Sequence, residues 1–279
     1  MTRSEKITDN FEIIVSDWIP PDSISLMWQI FFVSRNRGIS PEFHFPWIHD
    51  KHNLYCIRNI LEDGSAQTTV ASLILRHRPL YSGKKLGLIG LVCVAENFRG
   101  MGVSTRLLQQ AVELAKTQKL THLVLWTTKP DVYKKLDFET DSTDMFGQVI
   151  RRGSRSAEFK LEKNAVAADI FATVLKGAPA FAKEVVRYSA LNGASISICK
   201  SSSTETLVGY TGPMEQVMYL IDHVMPDTWS LNVPEHAPII EALSYNGYDT
   251  SLRPSAVRMT LALDECDHLS DTIPFLDRI

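Results

Sequence analysis

Leu86-Gly87-Leu88-Ile89-Gly90-Leu91-Val92-Cys93-Val94 runs directly into Ala95-Glu96-Asn97-Phe98-Arg99-Gly100-Met101-Gly102-Val103-Ser104, and the fold turns on this junction. The first nine residues are almost continuously apolar, the pattern of a strand buried on both faces. Beyond the junction, Val103, Leu107, Leu108, Ala111, Val112 and Ala115 share one helix face, while Gln110, Glu113 and Lys116 lie away from it. A buried strand therefore passes through a two-glycine turn straight into a helix. Glycine lets successive backbone N–H groups point into one concavity, because no Cβ blocks an approaching ligand. The helix N-terminus adds a partial positive charge, which suits a pyrophosphate or similar anion. Arg99 adds a charge-assisted contact or braces the loop. Two glycines alone fit equally well a tight strand-to-helix turn with Arg99 solvated.

Working outward, Phe11–Val15 reads as a first strand, and Pro20-Pro21-Asp22 precedes a helix near Ile24 capped by Asp22 or Ser23. Gly38–Asn53 is irregular and carries Phe43, His44, Phe45, Trp47, His49 and His52. Leu54–Leu61 and Thr69–Arg76 read as strands joined at Asp63-Gly64. Downstream of the junction come a buried strand, Leu123–Trp126, and a short helix, Asp131–Leu136. Closing strands at Val149-Ile150 and Glu158–Leu161 then flank a basic turn, with Arg151, Arg152 and Arg155 read as solvated.

Lys163-Asn164 marks a boundary, giving domains 1–163 and 164–279. Ala165–Leu175 and Ala180–Leu191 are spaced as helices. Ile196–Cys199, Thr206–Tyr210, Trp229–Val233 and Val257–Leu263 read as strands, and Met214–Val224 and Ala237–Tyr245 as helices. This second half echoes the order of the first. In the echo, Gly209-Tyr210-Thr211-Gly212-Pro213 replaces the glycine turn, with no arginine and with a proline that removes one N–H. Leu243 falls where Tyr133 falls in the first half. The second half is thus expected to hold no donor and to cover a sheet edge or wall off a substrate.

Arg99, Gly100 and Gly102 match the Arg/Gln-x-x-Gly-x-Gly/Ala signature of the GCN5-related N-acetyltransferase (GNAT) superfamily, which this stretch resembles. Tyr133-Lys134-Lys135-Leu136-Asp137-Phe138 is similar to that family's Tyr-x-Lys-x-Gly-Phe segment. The resemblance spans about Phe11 to Leu161, and the second half is similar to the partial acetyltransferase-like domain of two-domain members. It implies an α/β (α+β) fold with a mixed, mostly antiparallel central sheet flanked by helices, and a second, smaller domain of the same type. It implies acetyl-CoA or another acyl-CoA as co-substrate, held by backbone groups of Val92, Cys93 and Val94 and of Arg99, Gly100, Met101, Gly102, Val103 and Ser104. Tyr133 stands where the family places the acid that protonates the leaving thiolate, and the reaction it implies is direct attack by an amine, with no metal. Ser104 and Asp137 depart from the family pattern, in which glycine or alanine and glycine are usual. The strand 86–94 has no carboxylate base, and Glu96 is the nearest candidate; water or a group from Phe43–His52 is the other source. A non-catalytic acyl-CoA-binding or interaction protein with the same fold is the competing reading. Cys93, in a buried apolar strand, reads as inert rather than as an acyl carrier. His44, His49 and His52 lack metal-ligand spacing.

Composition bounds these expectations. The 279 residues are 44% hydrophobic and 22% charged, with 29 basic against 32 acidic residues. A net charge of −3 gives no broad basic field for nucleic acid. The longest apolar run, Leu86–Ala95, is about half a membrane span. No signal-type segment follows Met1–Lys6, and the four cysteines form no CxxC pair. A soluble cytoplasmic protein, monomeric or homodimeric, is expected, with no nucleic-acid or membrane partner.

Overall fold

The computed structural model describes residues 11–48, 53–63, 66–80, 83, 85–152, 169–191, 193–264, 269 and 273–278. In chain order the elements are β1 (Phe11–Ser16), α1 (Pro21–Phe31), α2 (Pro41–His44), β2 (Leu54–Asp63), β3 (Ala66–Pro79), β4 (Lys85–Val94), α3 (Val103–Thr117), β5 (His122–Thr127), α4 (Pro130–Lys134) and β6 (Glu139–Arg151). They continue with β7 (Ile170–Val174), β8 (Glu184–Ala190), β9 (Ser195–Lys200), β10 (Glu205–Thr211), α5 (Met214–Val224), β11 (Thr228–Pro234), α6 (Pro238–Tyr245) and β12 (Tyr248–Ala262). The chain divides into two compact units. The first comprises 1–141, 258–273 and 278–279, and the second 142–257 and 274–277. The boundary expected at 163/164 lies outside the described residues.

In the first unit the strands run β1-β2-β3-β4-β5, with the end of β12 beside β5. The first three pairings are antiparallel and β4–β5 is parallel. Neighbouring strand residues such as Cys56 and Ile57, or Leu88 and Ile89, are both buried. Since they point to opposite faces, both faces of the sheet are covered. On one face α1 packs Met27 against Leu54, Cys56, Ile74 and Cys93. The long helix α3 turns Val103, Leu107, Leu108, Ala111 and Ala115 inward, as its spacing predicts. It ends at Gln118, where Lys119 takes a left-handed φ of 55°.

The second unit repeats the arrangement: β7-β8-β9-β10-β11, then β6 and β12. Here β10–β11 is parallel, while β7–β8, β8–β9, β9–β10 and β6–β11 are antiparallel. Its core centres on Trp229, Leu231, Tyr248, Leu243 and Ile221. The result is a mixed, mostly antiparallel α/β architecture with flanking helices, as the sequence leads one to expect.

Several local expectations are overturned. α1 begins at Pro21, with Pro20 at its N-cap and no side-chain cap bond, so neither Asp22 nor Ser23 caps it. Proline already sets the φ of a first helical turn and its missing N–H costs nothing there. Asp22 instead accepts hydrogen bonds from Arg58 and Thr69 on the sheet. Within the segments expected to be helical, Ile170–Val174 and Glu184–Ala190 are strands. Their β-branched residues and the pairing of β7 with β8 and of β8 with β9 outweigh an apolar spacing that also fits a helix.

The closing strand is longer than its apolar part suggests, because cross-strand polar bonds hold its first half. Asp141 pairs with Arg258 at 2.6 Å and accepts from Thr260, and Ser255 Oγ donates to the Asp144 carbonyl. The other expected closing strand, Glu158–Leu161, and Arg155 lie outside the described residues. Arg151 is not a solvated turn residue. Its side chain is 13% exposed, pairs with Asp222 at 3.0 Å and lies over the Tyr248 ring at 4.7 Å. Arg152 is exposed and pairs with Asp249.

Candidate active site

β4 and β5 are parallel partners only from Leu86↔His122 to Leu88↔Val124. Immediately beyond, β4 carries a bulge. The register with β3 shifts between Ser72 and Ile74, opposite Cys93 and Gly90, and Leu91 adopts a left-handed φ of 50°. A bulge bends its strand, so the two central strands part where β4 runs toward the glycine turn. Val92 and Val94 are half-buried along this stretch. Cys93 points instead into the α1-side core, where its thiol donates to the Ser72 carbonyl at 3.5 Å. Burial pushes that thiol's pKa to about 12.

The turn that follows is built in layers. Glu96–Phe98 forms a 3-10 turn whose Phe98 ring meets Phe11 edge-on at 5.9 Å, anchoring the loop to β1. Arg99 Nε donates to the Val94 carbonyl at 3.3 Å, so the arginine ties the loop back to the strand end. Gly100 and Gly102 have φ of 80° and 73°, and a Cβ at either position would meet nothing within 4 Å. The glycines are thus required by backbone conformation, and the space above them is open. α3 has Gly102 as its N-cap, with no side-chain cap bond and no acidic residue in its first turn. Its first N–H groups, from Val103 and Ser104 onward, therefore present an uncompensated positive end at that opening. Met101 sits half-buried between the two glycines. Glu96 lies exposed on the 3-10 turn.

Tyr133 lies on α4, just past the end of β5. Burial raises the pKa of its hydroxyl, and a hydrogen bond with the Thr127 side chain opposes that shift. A phenol so placed stays protonated at neutral pH and can give a proton. Its ring is fixed edge-on to buried Phe138 at 6.1 Å. Between them Asp137 holds φ 62°, the left-handed geometry for which the family pattern uses glycine. The bulge at Leu91 and the Thr127 partner are not legible from residue type. The only hint is position, at the ends of the two central strands.

The same elements in the second unit are closed. β9–β10 has its own register shift at Leu207/Gly209, and β10–β11 pairs only at Thr206 and Leu207. Here, however, a Cβ on Gly212 would strike Ala194, so this glycine serves close packing rather than an open cradle. Pro213 is the N-cap of α5, Glu215 lies in its first turn, and the Leu243 counterpart of Tyr133 is fully buried. The Tyr210 hydroxyl bonds to the backbone of Ile239, tying β10 to α6.

His44 is a core residue. It is buried among Trp28, Phe32 and Phe43, and its Nε2 accepts from the Ile39 N–H at 2.9 Å. His49 and His52 lie outside the described residues. Among the described residues, no group of three His, Cys, Asp or Glu side chains is placed to hold a metal ion, and no helix is long and apolar enough to cross a membrane.

Residues 21–138 match the family model described as Acetyltransferase (GNAT) family, a stretch shorter than half of the chain. No curated protein sequence matches. Among solved structures, a GCN5-related N-acetyltransferase from Anabaena variabilis is similar at 12% identity and TM-score 0.62, over 91% of this chain and 74% of that one. One from Kribbella flavida is similar at 15% identity and TM-score 0.54, over 91% and 71%. A tandem GNAT protein from the clavulanic acid biosynthesis pathway is similar at 12% identity and TM-score 0.51, over 92% of this chain and 100% of that one. At these identities the likeness is one of fold.

Proposed function

We propose that this chain is an acyl-CoA-dependent N-acyltransferase with its donor site in the first unit, and that the second unit is a partial repeat without one. One observation carries the reading: two left-handed glycines with open space above them stand at an uncapped helix N-terminus, where β4 parts from β5. That is a pyrophosphate cradle beside a slot for an extended arm. In this reading the amides from Arg99 to Ser104 take the pyrophosphate, and backbone groups of Val92, Cys93 and Val94 take the pantetheine arm. Arg99 holds the loop in shape.

The acceptor amine attacks the thioester carbonyl, forming the C–N bond. As the C–S bond breaks, the departing thiolate takes the Tyr133 proton, which burial keeps in place up to that moment. β4 holds no carboxylate, so the proton lost by the amine goes to water or to Glu96, just past the strand's end. The match over residues 21–138 and the fold likenesses support this reading.

The test is calorimetry with coenzyme A, then thiol release from acetyl-CoA across a panel of primary amines. Tyr133→Phe is expected to leave donor affinity unchanged and to lower turnover by about 10²-fold, the lower end for general acid catalysis since a thiolate leaves readily. Unchanged turnover on a working amine returns Tyr133 to a packing role. Donor binding without turnover on any amine selects the non-catalytic reading.

A further inference from the structure

The second unit carries an open groove of about 680 Å³ between α5 and α6. Its floor is apolar, formed by Met214, Met218, Pro238 and Ala242. Its rim carries two carboxylates, Glu215 from α5 and Glu241 from α6, and no lysine or arginine. Neither carboxylate has an ion-pair or hydrogen-bond partner among the described residues, whereas Asp222 of the same unit pairs with Arg151 and Asp249 with Arg152. Tyr245, beside them, is 91% exposed, a degree of exposure rare for so large a ring.

By topology this groove is the second unit's counterpart of the region between α3 and α4, but its charge is opposite to what an anion needs. Glu215 occupies the first turn of α5, Pro213 withholds an N–H, and Glu241 faces from the other helix. Two negative charges flanking a methionine-lined floor repel phosphate. They favour a ligand with separated positive charges on an apolar body, and an exposed ring on the rim adds a cation–π partner. The groove volume lies within the range of small-ligand sites.

We propose that this groove binds an aliphatic diamine, with its ammonium groups on Glu215 and Glu241 and its methylene chain over Met214 and Met218. The inference stands on this groove alone and is independent of donor binding in the first unit.

The probe is a series of α,ω-diamines including 1,6-diaminohexane, titrated into the full-length protein and followed by the methyl signals of ¹³C-labelled methionine. Saturable shifts of Met214 and Met218 are expected, weakening as salt rises because the paired charges are exposed. Glu215→Gln and Glu241→Gln are each expected to weaken binding up to about fivefold, and n-hexylamine, with one charge, is expected to bind less tightly than the diamine. Both glutamates lie on the groove rim rather than in the core, so the variants keep the fold, and an unchanged melting temperature verifies this. No saturable shift, equal affinity for the monoamine, or Gln variants that bind as the parent does would each overturn the proposal. A lysine-rich peptide that shifts the same methyls while diamines do not would also overturn it, making the groove a protein-docking surface.

Discussion

Replacing Gly102 by alanine separates the conformational need for glycine from its role in ligand approach. The residue holds φ 73°, and an added Cβ would meet no atom within 4 Å. In the free protein the substitution therefore costs only the left-handed strain of an L-residue, about 1–2 kcal/mol. For a chain of this size that is a drop of roughly 2–8 °C in melting temperature. On the proposed donor site, the same methyl would stand where a phosphate oxygen approaches the amides at the start of α3. Losing one charge-assisted bond there costs about 1.5–3 kcal/mol, or roughly 10- to 150-fold in coenzyme A affinity.

Gly247 supplies the control. Its φ is 79° and its Cβ space is equally empty, but it lies in the turn between α6 and β12. Gly247→Ala is expected to show the same loss of melting temperature with no change in coenzyme A affinity. Calorimetry on both variants, well below their melting temperatures, reads the difference. If Gly102→Ala binds coenzyme A within about threefold of the parent, roughly 0.65 kcal/mol, the phosphate cradle is misplaced. Equal affinity losses in the two variants refute the local argument as well. Gly102→Val would be a poorer test, since a β-branched residue strains this backbone even without ligand.

Two further outcomes test the groups around the site and the core of the second unit. Cys93, with its thiol pKa pushed up to about 12 by burial, is expected to resist iodoacetamide at pH 8 in the folded protein and to react only after unfolding; mass spectrometry that finds Cys93 labelled in native protein would contradict its buried placement. Arg151→Ala removes a cation that bridges β6, α5 and the Tyr248 ring, and is expected to cost about 2 kcal/mol, between an exposed pair and a fully buried one; a urea denaturation midpoint unchanged from the parent would make the bridge ornamental.

What residue order alone determined is whatever depends on neighbours close in sequence. The unbroken apolar run of β4 and the inward face of α3 follow from periodicity, and the glycine turn between them follows from backbone sterics. The positions of Arg99, Gly100, Gly102 and Tyr133 could be read in the same way, because a short motif fixes them relative to one strand and one helix. Ile170–Val174 and Glu184–Ala190 could not, because their apolar spacing serves either period and only pairing across the sheet chooses the strand. Nor could the fates of β6 and β12. Each follows a short helix in its own half, yet β6 pairs with β11 and the end of β12 lies beside β5. Arg151 likewise looks like any basic turn residue until Asp222, 71 positions away, is brought beside it. Local propensity acts over a few bonds, whereas strand neighbours and buried ion pairs are chosen by the burial of the whole core. Only the folded chain brings those partners together.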